Sequence, residues 1–167
     1  MTTKGILLAG GKGTRLAPAT VAISKHLLPV FDKPLIYYSL TNLMLAGVRE
    51  ILIIAREQDL KNYKNLFGDG SHLGLELRYA VQEKPLGIPE ALLIGETFLE
   101  GENVVLALGD NVFHGSGLSV IFRETAKAIR GASILIKRVP DPVRFGVANL
   151  SPSGNVVALE EKPQNPV

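Results

Sequence analysis

The sequence predicts an α/β sandwich: a three-layer, Rossmann-like and mostly parallel sheet that ends in a β-hairpin. Short apolar runs alternate with longer amphipathic stretches along most of the 167 residues, which is the pattern of repeated β-α crossover units. Each connection is long enough for the right-handed crossover of a parallel sheet. After Lys137 the character changes to two strand-like runs flanking Ser151-Pro152-Ser153-Gly154, the signature of an appended hairpin.

Strands are expected at residues 5–9, 51–55, 75–80, 104–108 and 133–137, where continuous or alternating apolar runs are bounded by Gly, Asn or Asp. Helices fall between them. Pro34 suits the first turn of a helix over 34–46, with Gly47 as its stop. Helices over 57–67, 89–99 and 118–130 follow, and the hairpin strands are read at 144–149 and 156–161. There are no repeats, so the expectation is one domain over 1–167.

Composition narrows the class. At 46% hydrophobic and 20% charged, the chain can bury an ordinary apolar core and fits one globular domain. It has no cysteine, which excludes a disulfide framework, a thiolate metal site and a cysteine nucleophile. The longest apolar runs, 5–11 and 51–55, fall short of the roughly 18 residues that span a bilayer. Met1-Thr2-Thr3-Lys4 leads straight into the first strand with no leader-like apolar region, so a cytoplasmic location is expected. The net charge is only +2, which argues against coating a nucleic acid polymer or an anionic membrane. Its distribution is uneven. Residues 1–49 hold Lys4, Lys12, Arg15, Lys25, Lys33 and Arg49 against the single acid Asp32, a basic, glycine-rich segment suited to a small phosphorylated ligand.

In an open parallel sheet, ligands bind beyond the carboxyl ends of the strands. The first strand ends there in Leu8-Ala9-Gly10-Gly11-Lys12-Gly13-Thr14-Arg15-Leu16. Glycines let backbone N–H groups turn toward an anion. The Walker phosphate loop does not fit, because Gly13 follows Lys12 and Ile6 occupies the position of the leading glycine. The dinucleotide fingerprint does not fit either, since Leu16 stands where its third glycine belongs.

A longer composite does fit. Gly10-Gly11-x-Gly13-Thr14-Arg15-Leu16-x-Pro18 is followed by Ser24-Lys25-His26-Leu27-Leu28-Pro29-Val30 and Lys33-Pro34. Further on come Gln82, Pro85-x-Gly87, Leu108-Gly109-Asp110-Asn111, Phe145-Gly146-Val147 and Leu159-Glu160-Glu161-Lys162-Pro163. In this order the motifs resemble the sugar-nucleotidyltransferase family, particularly its glucose-1-phosphate thymidylyltransferases, over essentially the whole chain. The resemblance implies that a sugar 1-phosphate attacks the α-phosphorus of a nucleoside triphosphate and pyrophosphate leaves. dTTP and glucose 1-phosphate are the expected substrates. It also implies a homo-oligomer and further strands and helices beyond Lys162.

Residue by residue, the resemblance gives Arg15 the leaving pyrophosphate and Lys25 the triphosphate, with Lys162 as a third catalytic cation. Leu8, Gly10, Gly11, Gly13 and Thr14 would line the nucleotide, with Gln82 and Gly87 reading a pyrimidine base. Asp110 would bind Mg2+, which needs only one or two carboxylates and keeps several waters. Gly146, Glu161 and Lys162 would hold the sugar phosphate. Read alone, each has a plainer alternative: a surface arginine, a solvated lysine, an exposed strand-end glutamine, a capping aspartate, a solvated Glu-Glu-Lys strand end. His26 stands where glutamine is common in the thymidylyl branch and reads as a neutral surface imidazole. His114 has no second histidine at useful spacing for zinc. A binding module that retains the nucleotide pocket without turnover is the alternative function. The failed fingerprint argues against a nicotinamide-dependent dehydrogenase.

Overall fold

Four of the five apolar runs form one parallel sheet. The computed structural model describes residues 3–84, 86–127 and 131–165; Pro85 of the Pro-x-Gly motif and positions 128–130 of the last expected helix lie outside them. The chain divides into two compact units, Met1–Ile129 and Arg130–Val167.

In the first unit the strands are β1 (Thr3–Leu8), β4 (Glu50–Ala55), β5 (Glu76–Val81) and β6 (Asn103–Leu108). A short antiparallel ribbon, β2 (Pro29–Val30) with β3 (Lys33–Pro34), precedes β4. The sheet order is β5-β4-β1-β6, with every pair parallel. The chain therefore leaves β1 toward one side and returns to β1's other side with β6. That reversal makes the carboxyl ends of β1 and β6 the crevice of the sheet, and their register pairs Leu8 with Leu108.

Strand alternation divides the core between two faces. Leu7, Ile51, Ile53 and Ala55 point to the side of α1 (Ile36–Leu45) and α2 (Glu57–Phe67), where they pack with Leu40, Leu43, Tyr63 and Phe67. Ile6, Leu52 and Ile54 point to the other side, against Ala91 of α3 (Ile88–Ile94) and Phe98 of α4 (Glu96–Leu99). With both faces covered, β1 and β4 read as nearly continuous apolar runs. α5 (Leu118–Lys127) lies beside α1, where Arg123 donates to the Leu45 carbonyl at 3.3 Å. Among the described residues no helix is long and apolar enough to cross a membrane.

The expected helix over 34–46 starts at Ile36 instead, because Lys33-Pro34 belongs to the ribbon. The expected helix over 89–99 breaks at Gly95. A Cβ there would sit 2.8 Å from Ile6 Cδ1 and 3.1 Å from the Ala91 carbonyl, so glycine permits close packing on β1 at the expense of helix continuity.

In the second unit β7 (Gly146–Leu150) pairs antiparallel with β8 (Val156–Glu161). The turn is closed by Ser151 N–H donating to the Asn155 carbonyl at 2.8 Å, with Gly154 at φ 83°. The strand expected over 133–137 does not form. Ile134, Leu135 and Ile136 are about half exposed in irregular chain. An apolar run becomes a strand only where a neighbour takes its backbone groups, and among the described residues β7 and β8 pair only with each other.

Candidate functional site

The six cations of residues 1–49 do not share one place. Lys4, at the amino end of β1, is buried and donates at 2.7 Å to both the Phe98 carbonyl and Glu100. Arg49 donates to the Met44 and Val48 carbonyls just before β4. Lys33 pairs with Asp32. Lys12, Arg15 and Lys25 remain for the loops near the sheet's carboxyl end.

The loop after β1 is anchored on both sides of that strand. Ala9 N–H donates to the Ile54 carbonyl at 2.7 Å, and Gly109 N–H donates to the Leu8 carbonyl at 2.9 Å. Gly13 then turns the chain at φ 64°, and the Thr20 hydroxyl donates to its carbonyl at 2.7 Å. Thr14 and Arg15 follow on an exposed 3-10 turn, Thr14–Leu16. Arg15 has no hydrogen-bond partner among the described residues, which leaves its donor fork open to an incoming ligand.

Lys25 lies across this loop. A Cβ on Gly11 would be 3.4 Å from Lys25 Cε, so the lysine stem packs on the glycine backbone. Its Nζ is ion-paired with Oδ2 of Asp110, directly after β6. Burial pushes the Asp110 carboxyl up, but the hydrogen bond and charge of Lys25, aided by His26, hold it below the usual carboxylate range. The structure thus brings together Gly11, Lys25 and Asp110, residues far apart in sequence.

His26 is buried, not a surface imidazole. Its Nδ1 lies 3.0 Å from the Ser24 hydroxyl and 3.4 Å from the Tyr63 hydroxyl, which are themselves 2.9 Å apart. Desolvation, reinforced by Lys25 and opposed by Asp110, lowers the imidazole to about 4, so it is neutral at physiological pH. Burial likewise raises the Tyr63 phenol to about 12. The ring also packs on Gly109, where a Cβ would meet His26 Cδ2 at 2.8 Å. His26 therefore ties the Lys25 segment to the end of β6 and to α2. Its position between Ser24 and the Leu27-Leu28 pair was the available sign of burial.

Gln82, just past β5, is also buried. Its Nε2 donates to Glu90 Oε2 at 2.6 Å, and the same oxygen accepts from Leu86 N–H at 2.9 Å. Its Oε1 covers Gly10 so closely that a Cβ would fall 1.8 Å away. Beside it, Lys12, Arg56, Gln58, Val81 and Gln82 line a cleft of about 640 Å³. Gly87 is exposed at φ 109° before α3, a backbone region open chiefly to glycine. No local sequence signal singled out Glu90. Gly10→Ala is expected to expel the Gln82 carboxamide and break its bond to Glu90, costing about 2 kcal/mol. Urea denaturation of the variant against the wild type checks this.

Gly146, Glu161 and Lys162 lie together on the hairpin of the second unit. Gly146 is opposite Glu161 in register, and Lys162 Nζ is 3.0 Å from Glu161 Oε1. Lys162 takes φ 48°, and its N–H donates to the Phe145 carbonyl at 2.9 Å. His114 is exposed, and no group of three or more potential metal ligands occurs among the described residues.

Comparison with known proteins agrees with this architecture. Glucose-1-phosphate thymidylyltransferase of Neisseria gonorrhoeae is 50% identical over 163 residues, covering 98% of this chain and 57% of that protein. The enzyme of the same name from Xanthomonas campestris pv. campestris (strain B100) is 48% identical, with 55% of its length covered. The chain therefore spans little more than half the length of these relatives. A Bacillus anthracis protein assigned as a glucose-1-phosphate thymidylyltransferase, solved with sucrose, superposes with a TM-score of 0.90 at 38% identity over 99% of this chain and 66% of its own. A UDP-glucose pyrophosphorylase solved with UDP-glucose, at 24% identity and a TM-score of 0.78, shares the fold. With a glycine-rich turn after β1, an aspartate after β6, and the nucleotidyl transferase family model matching residues 4–167, the chain belongs to the nucleotidyl transferase family.

Proposed function

We propose that the chain carries the nucleotide site of a cytoplasmic glucose-1-phosphate thymidylyltransferase, which transfers a thymidylyl group from dTTP to glucose 1-phosphate. A phosphate oxygen of the sugar forms a bond to the α-phosphorus, the bond to the β-phosphate breaks, and pyrophosphate leaves with dTDP-glucose as product. The observation that carries this reading is the Lys25–Asp110 pair lying over Gly11 at the crevice between β1 and β6. Phosphoryl chemistry of this kind depends chiefly on positioning and charge neutralisation.

Within the reading, the backbone of Leu8, Gly10, Gly11, Gly13 and Thr14 cradles the nucleotide. Lys25 meets the triphosphate, and the free fork of Arg15 takes the departing pyrophosphate. Gln82 and Gly87 read the base. Glu161 and Lys162, on the hairpin, are the proposed ligands of the sugar hydroxyls and sugar phosphate. Asp110 suits magnesium: it is one partly exposed carboxylate, and that ion needs only one or two carboxylates and keeps several waters. When bound, magnesium neutralises and polarises the α-phosphate. Because Lys25 already balances the Asp110 charge, the donor set suits an ion that arrives with the triphosphate.

The test is pyrophosphate release with magnesium and glucose 1-phosphate across the four triphosphates of the thymine, uracil, cytosine and guanine series. Release fastest with dTTP is expected, and no release with any of them overturns the reading for this chain. Arg15→Ala is expected to slow release about a hundredfold while changing triphosphate affinity far less, as befits a group acting on the leaving charge.

A further inference from the structure

We propose that Glu90 is a specificity-positioning residue that locks the Gln82 carboxamide in one orientation and so sets which pyrimidine edge Gln82 can read. The inference deepens the proposed thymidylyl activity and rests on it. Carboxylate oxygens only accept hydrogen bonds, so the 2.6 Å contact with Glu90 Oε2 must be made by the amide NH2 of Gln82. The carbonyl oxygen is thereby turned over Gly10, where there is room for it only because position 10 lacks a Cβ. The lock is itself held in place. Glu90 sits in the first turn of α3, where the helix favours a negative charge, and the same carboxylate oxygen accepts from Leu86 N–H. The Gln82 backbone is fixed by donation to the Ala55 carbonyl at 2.7 Å.

An unrestrained glutamine reads either of two complementary edges by rotating its amide. Thymine and uracil offer an N3 donor beside an O4 acceptor, whereas cytosine offers an N3 acceptor beside an N4 donor. Rotation exchanges the two readings at little energetic cost. With one proton of its amide NH2 committed to Glu90, Gln82 keeps one acceptor and one donor in fixed places and can match only one edge. For a thymidylyltransferase that edge is the N3-protonated one. Glu90 then acts against cytosine without touching the base, by leaving a mismatched polar pair at the wrong ligand.

The experiment combines nitrogen-15 NMR of the Gln82 side-chain amide with calorimetric titration of dTTP and dCTP, in the wild type and in Glu90→Gln. In the wild type, one Gln82 amide proton should be shifted downfield and protected from exchange, and dTTP should bind at least about tenfold more tightly than dCTP. Glu90→Gln, able to donate as well as accept, should free the amide and shrink that preference about tenfold, chiefly by weakening dTTP. A folded Glu90→Gln that binds dTTP with its preference changed less than about twofold overturns the inference and leaves the proposed function standing. An unprotected, freely rotating Gln82 amide in the wild type overturns it whatever the variant does. Binding of neither nucleotide by the wild type overturns the proposed function, and this inference with it.

Discussion

Acidification from pH 7 to pH 4 is expected to remove about 3 kcal/mol of unfolding free energy through His26 alone. The folded chain holds this imidazole at about 4, against an ordinary 6.5, because the ring is desolvated and lies beside Lys25 and Arg56, with only Asp110 opposing. A base whose pKa is depressed by folding takes up its proton more readily in the unfolded chain. Stability is therefore full above pH 6.5, declines as pH falls through the window from 6.5 to 4, and levels off below it. Asp110, itself held below the carboxylate range, adds its loss only at lower pH. Urea denaturation at intervals between pH 7.5 and 4 checks the slope. His26→Gln should flatten it within that window, and an unchanged slope in the variant would refute the assignment to His26.

Gly109→Val is expected to destabilise the chain by about 3 kcal/mol, near the top of the range for overpacked interiors. A Cβ at position 109 would lie 2.8 Å from His26 Cδ2, 3.2 Å from the Leu8 carbonyl oxygen and 3.3 Å from Ala9 Cβ. The backbone oxygen cannot retreat, because it accepts from Gly109 N–H itself. The imidazole is held by Ser24 and Tyr63. Either the β1–β6 pairing opens or His26 leaves its pocket, and both outcomes carry Lys25 away from Asp110. Thermal unfolding should show the loss, and the chemical shifts of Lys25 and Asp110 should change with it. Gly109→Ala should fall between the variant and the wild type.

Much of this arrangement was legible in the sequence because its signals are local. The apolar runs became β1, β4, β5 and β6 to within two residues of the expected bounds: β1 and β4, covered on both faces, are nearly continuous apolar runs, and β5 alternates, with Glu76 and Arg78 exposed. The glycines of residues 10–13 announced a turn that only small residues permit, and Asp110 was placed at a strand end by the same reading. What escaped depends on contacts distant in sequence. Residues 133–137 have strand composition, but a strand requires a neighbour, and periodicity cannot supply one. His26 looked like an exposed loop histidine because Tyr63 and Gly109, which enclose it, lie 37 and 83 positions away. Glu90 looked like an ordinary first-turn acid; its bond to Gln82 depends on how the loop between β5 and α3 folds back. The charge tally was misleading for a related reason: Lys4 and Arg49 serve the opposite end of the sheet.

In the proposed function, Asp110 after β6 would hold magnesium beside a triphosphate bound at the turn after β1. Calorimetric titration of dTTP, with and without magnesium, in the wild type and in Asp110→Asn, tests it most directly. Magnesium should strengthen dTTP binding to the wild type about tenfold or more, this increment should disappear in Asp110→Asn, and magnesium without nucleotide should bind weakly. Equal magnesium dependence in the two proteins, or dTTP binding indifferent to the metal in both, would contradict it.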